Sequence, residues 1–479
     1  MTRAFAFAVI AAALSSACST IPPGADFPKT SSSALEHPEE TRLGRQFATA
    51  ARQHDGTSGF RILTVGVDGF LARAQMIDAA ERTLDLQYFI FHGDETGRLL
   101  AGKLRQAADR GVRVRLLIDD GATDADDEQI LALDARPGIE IRFFNPFAYR
   151  GHRPSLRATE FLFNHSRLDY RMHNKLLVAD NAVALVGGRN IGNQYFQMDP
   201  ESQFADDDVF VAGPIAAKLS ATFDEFWNSA FAIPAQALRH GHGDPPSAAS
   251  VPPTEQPREA LAPLQAPGID YVARLSSGEP FAGLVSGRLP LVWAPAQVVF
   301  DSPDKKNVES GNGAGRLMTR SVVAAAREVK SELLMVTPYF VPAEEELQLL
   351  KDLRDRHARV RILTNSLESN PDPMSHCGYK RYRVPLLEDG VELHEVRSQL
   401  ESTRGSGQTA AVSRYGNYAL HAKLFVFDRR KLLIGSMNFD QRSKRLNTEV
   451  GLIIDSPELA QQTALRFEAM AQPEESYRV

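Results

Sequence analysis

One nine-residue pattern occurs twice in this chain, and its spacing limits the possible folds more than any other feature. Met172-His173-Asn174-Lys175-Leu176-Leu177-Val178-Ala179-Asp180 and Leu420-His421-Ala422-Lys423-Leu424-Phe425-Val426-Phe427-Asp428 both read His-x-Lys-x4-Asp. Each runs on into a glycine turn and an asparagine, Gly187-Gly188-Arg189-Asn190 and Gly435-Ser436-Met437-Asn438. The matched His, Lys, Asp, Gly and Asn all lie 248 residues from their counterparts. A spacing kept over five positions means that one folding unit is present twice.

The order of predicted elements repeats too. Thr83 to Phe91 and Ser331 to Val341 read as strands. Amphipathic helices over Gly97 to Arg110 and Glu344 to Arg356 follow, then strands over Val112 to Ile118 and Val360 to Leu363. Two βαβ series predict an α/β fold with helices packed on sheets. The apolar runs Leu176-Leu177-Val178 and Leu424-Phe425-Val426-Phe427 suit buried strands.

On a strand, residues two apart face one side, so His173 accompanies Lys175 and His421 accompanies Lys423; Asp180 and Asp428 fall on the opposite phase. If the two faces meet, two imidazoles, two ammonium groups and the amides of Asn190 and Asn438 surround one site. Such donors clamp a phosphodiester, whose oxygens gain negative charge in the transition state. One imidazole can attack phosphorus while the other protonates the leaving alkoxide. Nearby carboxylates would orient each ring through its second nitrogen. The lysines supply the cationic charge, so no metal or other cofactor is required.

At these residues the sequence resembles the phospholipase D superfamily, from about Phe47 to Arg466. Arg171 to Lys175, Leu185 to Gly192 and Ile434 to Ser443 look like C-type bacterial cardiolipin synthases. So do Phe144-Asn145-Pro146-Phe147, Leu363 to Leu367 and Leu446-Asn447-Thr448-Glu449. The resemblance implies two duplicated phospholipase D-type α/β/α sandwich domains with the active site at their interface, and a two-step transfer through phosphohistidine. It makes His173 the nucleophile and His421 the acid, an order that the symmetry of the sequence does not fix. Lys175, Lys423, Asn190 and Asn438 would hold the phosphoryl oxygens. Glu449 matches the carboxylate that holds an imidazole, with Asp206, in preference to Asp208, as its counterpart in the first half. Asp180 and Asp428 complete the catalytic motif and would support the site without reacting.

The implied activity is phosphatidyl transfer between phospholipids such as phosphatidylglycerol and phosphatidylethanolamine, giving cardiolipin. Hydrolysis to phosphatidic acid is the alternative. A nuclease of the same superfamily, or a lipid-binding scaffold without catalysis, ranks lower. With 54 basic and 60 acidic residues the net charge is −6, so no nucleic-acid partner is expected.

Residues 1–17 read as a signal peptide: Arg3, the apolar run Ala4 to Leu14, then Ser15-Ser16-Ala17. Cys18 follows in a setting that resembles the lipobox of bacterial lipoproteins, with Ser15 where that pattern prefers leucine. Lipidated Cys18 would anchor the protein to a membrane surface in the cell envelope, as a periplasmic lipoprotein sorted to the outer membrane rather than the inner one. Residues 18–45 would then be a lipidated, flexible tether. The first domain is expected over 46–232 and the second over 269–479. Residues 233–268, with eight prolines, are expected to form a linker between them. The basic, aromatic run Tyr379-Lys380-Arg381-Tyr382-Arg383 reads either as a headgroup contact or as a solvated helix face.

Overall fold

The computed structural model describes residues 22–123, 127–149, 154–199, 202–238, 290–309, 315–398 and 417–479, with 283, 288 and 311. The first half builds a nine-stranded sheet. Its strands in chain order are β1 (Ser58–Leu63), β2 (Thr83–Tyr88), β3 (Arg113–Asp119), β4 (Ile139–Phe144), β5 (Lys175–Ala179) and β6 (Val183–Gly187). Beyond these, β7 (Ser202–Ala205) stands outside that sheet, and β8 (Asp208–Ala212), β9 (Ala232–Pro234) and β10 (Val292–Ala294) complete it. The second half contributes β11 (Ala296–Phe300), β12 (Glu332–Val336), β13 (Arg359–Asn365), β14 (Glu392–Val396) and β15 (Asn417–Leu420). It closes with β16 (Leu424–Phe427), β17 (Lys431–Gly435), β18 (Val450–Asp455) and β19 (Ser476–Arg478).

The first sheet has the order β10-β1-β8-β6-β5-β2-β3-β4-β9 and the second β11-β18-β17-β16-β12-β13-β14-β19. Superposing β5 on β16 matches seven consecutive strands, from β1-to-β4 onto β11-to-β14. In both sheets the βαβ series is parallel (β2, β3, β4 and β12, β13, β14), and the motif strands β5 and β16 pair antiparallel to β2 and β12. The helices Glu95–Asp109 and Glu344–Asp355 sit where the Leu spacing predicts them.

Side-chain alternation assembles the halves. Leu177 and Ala179 of β5 face the outer core of the first half, and Phe425 and Phe427 of β16 face that of the second. Their neighbours Leu176, Val178, Leu424 and Val426 point the other way into one core shared by both sheets. The helices Pro214–Trp227 and Pro457–Met470 are part of that core through Phe223, Trp227, Leu459 and Phe467. Apolar burial from both repeats therefore fixes how the halves meet.

Two expectations about boundaries are corrected. The stretch 22–41 is not a free tether within the described residues, because the first domain uses its polar groups. Lys29 donates to Ser229 and Ala232 carbonyls, Ala34 N to Asp224, and the guanidinium groups of Arg115 and Arg142 to the carbonyls of Ser32 and Thr30. Residues 1–21, with the signal peptide and Cys18, lie outside the described residues. The linker also starts later than residue 233: β9 pairs with β4, and Ile233, Ala235 and Leu238 are buried. Beyond the Pro-rich segment, β10 still belongs to the first sheet through β1. Most of 239–289 lies outside the described residues.

Candidate active site between the halves

His173 stands just before β5, held by backbone bonds to the other half. Its N–H donates to the Thr448 carbonyl at 2.9 Å, and Thr448 N donates to the Arg171 carbonyl at 2.9 Å. The second half mirrors this. β15 pairs with β7, and the N–H groups of His421 and Ala422 both donate to the Ala205 carbonyl. Each histidine is thus tied to the residue preceding a carboxylate of the opposite half.

The carboxylates cross over. Glu449 accepts from His173 Nδ1 at 2.9 and 3.1 Å, and Asp206 lies 2.5 Å from His421 Nδ1. A carboxylate on Nδ1–H fixes the tautomer whose lone pair is on Nε2, leaving that nitrogen for substrate. All four side chains are buried. Asp208 instead pairs with Arg73 at 2.8 Å and Arg189 at 3.2 Å, so it takes no part in holding the ring.

The two pairs differ chemically. Ser436 Oγ donates to Glu449 Oε2 at 2.5 Å and Ser443 Oγ to Oε1 at 2.7 Å. Gly188 occupies the position equivalent to Ser436, and there a Cβ would sit 2.1 Å from Asp206 Oδ1. Glycine thus leaves room for the Asp206 carboxylate, and serine serves the longer glutamate. Burial pushes Glu449 up to about 7, against the pull of Lys175 and the serine donors. Burial acts on Asp206 in the same sense, but His421 and Lys423 outweigh it and hold its carboxyl below the usual range. Burial and then Lys423 lower His421 to about 3; burial, Lys175 and Lys423 take His173 well below its ordinary value.

The lysines complete the site. Lys175 Nζ donates to the His173 carbonyl at 2.6 Å and lies 5.2 Å from the Phe89 ring centroid. Lys423 Nζ donates to the His421 carbonyl and lies 2.8 Å from its Nδ1. Burial lowers Lys423 to about 8 and takes Lys175 well below the ordinary lysine range. Two buried cations side by side favour an anion between them. The asparagines are not equivalent. Asn190 is engaged, accepting from Ile90 N at 3.1 Å and donating to Tyr195 OH at 2.8 Å. Asn438 Oδ1 is buried without a hydrogen-bond partner.

Asp180 and Asp428 lie at the far ends of β5 and β16 from the histidines. Asp180 accepts from the N–H groups of Glu81, Arg82 and Thr83, and Asp428 from those of Lys330, Ser331 and Glu332. Both adopt φ of 52°. The expectation that they belong to the catalytic set is corrected to this: each caps the entry of the neighbouring parallel strand, β2 or β12.

Other residues complete the site, some of them, such as Asn365, within segments that carried the family resemblance but no role of their own. Asp119 at the end of β3 accepts from Met172 N at 2.7 Å, and Asn365 at the end of β13 clasps Leu420 through both its N–H and its carbonyl. Each holds the residue that precedes a histidine. Asp301, paired with Lys305 at 2.8 Å, accepts from Glu449 N at 3.0 Å. Phe204 stacks on the His421 ring and Phe89 packs edge-on to His173. The Gly188/Ser436 difference within the repeat was the available clue to Ser436. Among the described residues, no group of three or more His, Cys, Asp or Glu side chains is arranged to hold a metal ion.

Residues 74–227 and 322–471 match the family described as cardiolipin synthase, PLD-like domain. Cardiolipin synthase C of Escherichia coli (strain K12) is 38% identical over 430 residues, covering 89% of this chain and 87% of that protein. Major cardiolipin synthase ClsA of Bacillus subtilis (strain 168) is 25% identical over 408 residues, 85% of this chain and 67% of that one. Phosphatidylserine synthase of Haemophilus influenzae Rd KW20 shares the fold, with a TM-score of 0.54, 14% identity, and coverage of 90% of this chain and 92% of that chain. The doubled motif, the repeated sheet and these matches agree: the chain belongs to the cardiolipin synthase family of phospholipase D-like enzymes.

Proposed function

We propose that this enzyme is a phosphatidyltransferase of the cardiolipin synthase type, and the crossed His173–Glu449 and His421–Asp206 pairs carry that reading. In the first step His173 Nε2 attacks the phosphorus of a phospholipid. The bond to the headgroup oxygen breaks, and His421 passes its Nε2 proton to the departing alkoxide. In the second step the headgroup hydroxyl of another lipid gives its proton to His421 and attacks phosphorus. The P–N bond breaks and His173 is released. Lys175, Lys423 and the amide N–H groups of Asn438 donate to the phosphoryl oxygens as charge accumulates. Burial and then the Lys423 charge keep His421 deprotonated in the empty site; the bound phosphodiester anion offsets that charge, so the ring can carry the proton it must donate.

Phosphatidylglycerol is the acceptor and donor of this reading, with phosphatidylethanolamine an alternative donor. Exchange of one phosphodiester for another needs no energy-rich co-substrate. The N-terminal export pattern and Cys18 support a place in the cell envelope as a periplasmic lipoprotein, on the outer membrane in preference to the inner. Among the described residues no helix is long and apolar enough to cross a membrane.

The test is transfer from labelled phosphatidylglycerol in mixed micelles containing EDTA, with wild type, His173→Ala and His421→Ala compared. Cardiolipin lost in both variants is the expected result, with phosphohistidine trapped on His173. Phosphatidic acid as the sole product would make water the acceptor and overturn the transferase reading. Mass spectrometry of the N-terminal peptide tests the anchor, since an unmodified Cys18 in protein from the envelope would overturn it.

A further inference from the structure

Among the described residues eleven large apolar side chains are exposed, and eight of them fall in two short segments. The first is the helix Pro154–Leu168, where Leu162 is 73% and Phe163 69% exposed. The second runs from Leu367 through the helices Pro373–Lys380 and Arg383–Glu388, where Met374 is 77% and Val384 62% exposed. Scattered apolar residues on a surface are ordinary, but concentration is not.

Both segments sit at the histidine edge of their sheets. Helix Pro154–Leu168 joins β4 to the motif of the first half. Asn145, just after β4, donates to the Arg167 and Tyr170 carbonyls at 2.8 Å, so the helix is anchored three residues before His173. The second segment leaves β13 directly after Asn365, the residue that clasps Leu420 beside His421. One apolar projection therefore comes from each half, on either side of the site.

Glu160, the one carboxylate of helix Pro154–Leu168, is turned away onto Ala148 N, Tyr149 N and Arg167. In the second segment Lys380 and Arg381 are exposed next to the apolar side chains, as are Glu368, Asp372 and Glu388, while Arg383 is paired with Glu395. Apolar tips flanked by charges of both signs, at the edge of a site read as acting on phospholipids, match the boundary of a phospholipid bilayer, where acyl chains take the tips and headgroups the flanking charges.

We propose that helix Pro154–Leu168 and the Leu367–Leu387 segment form a two-part rim that seats the site on a phospholipid bilayer. The proposal deepens the phosphatidyltransferase reading and rests on it for the nature of the substrate. It assigns surface contact to the catalytic half-sites themselves, independently of any anchor at Cys18.

Tryptophan reporters test it in the full chain. Leu162→Trp and Val384→Trp report on the rim, and Leu465→Trp, exposed on helix Pro457–Met470, is the control. Vesicles of phosphatidylglycerol and phosphatidylcholine with brominated acyl chains serve as the probe, and the signal of Trp227 and Trp293 is subtracted. Both rim reporters should shift to the blue and be quenched at least about twofold, the control remaining unchanged, because a seated side chain enters the headgroup–acyl boundary. Equal quenching at all three positions, none at all, or quenching at one rim position only would overturn the rim. A blue shift without vesicles, with concentration-dependent sedimentation, would mean that a second copy of the chain covers this face and would also overturn it. Quenching needs no turnover, so a failed transfer assay with intact rim quenching would refute the chemistry alone.

Discussion

Glu449→Gln separates charge from shape at the centre of the site. The substitution keeps the volume and leaves one oxygen for His173 Nδ1–H, while the hydroxyls of Ser436 and Ser443 can rotate to serve the amide. What disappears is the negative charge 2.9 Å from an imidazole that becomes cationic as it bonds to phosphorus. At that distance and an effective dielectric constant of about 20, Coulomb's law gives about 6 kcal/mol. Glu449 is pushed up to about 7, so near neutral pH completing its ionisation costs only about 0.4 kcal/mol. A loss of up to about 5 kcal/mol follows, and because the amide oxygen keeps part of the attraction a fall of at least about a hundredfold in kcat is expected. Stability should move the other way. A carboxyl whose folded-state value is raised makes the folded protein less stable as pH rises from the unfolded value near 4.5 through about 7. The neutral amide escapes that penalty. Tm at pH 8 should therefore be at or above the wild-type value, and the fall in Tm between pH 5 and 8 should be reduced. The assays are single-turnover transfer from phosphatidylglycerol and thermal melts across that pH range. A variant with kcat within about threefold of wild type would refute the electrostatic role. A variant with a lower Tm at pH 8 would refute the claim that burial makes this anion costly.

Three further outcomes follow from the same geometry. Gly188→Ala places a Cβ 2.1 Å from Asp206 Oδ1, so it should displace the carboxylate from His421 and reduce transfer by at least about tenfold, as read by kcat, with a lower Tm. Asp180→Ala removes the acceptor for three strand-entry N–H groups and should cost about 1–3 kcal/mol in a denaturant melt while kcat stays within about threefold, which separates a structural aspartate from a reacting one. Lys423 is lowered to about 8, so the empty site loses a positive charge as pH rises through that value; kcat/KM should decline above about pH 8, and Lys423→Arg, which stays cationic, should move that limb to higher pH.

Much of the architecture was legible along the chain because it rests on local patterns. The βαβ order came from apolar runs and helical Leu spacing, and the observed sheets keep it in both halves. The alternation of Leu176, Leu177 and Val178 also placed β5 as a strand covered on both faces. Local patterns misled where a polar composition was taken for freedom. The stretch 22–41 is polar and rich in Pro, Ser and Thr, yet Arg115, Arg142 and Asp224 need its backbone groups as partners. Asp180 and Asp428 recur for a structural reason. Their constant spacing marks a strand-entry cap at each repeat, a structural requirement as strict as a catalytic one.

The sequence by itself determined that two equivalent units supply one histidine and one lysine each, since an offset of 248 residues at five positions leaves no other reading. Only the tertiary structure decided which carboxylate serves which imidazole. Glu449 lies 276 residues from His173 and Asp206 lies 215 from His421. Neither separation carries a periodicity, and neither equals the repeat. The pairing arises because each histidine stands outside its own strand on a backbone bridge to the opposite half, and the shared core between the two sheets brings those bridges into register.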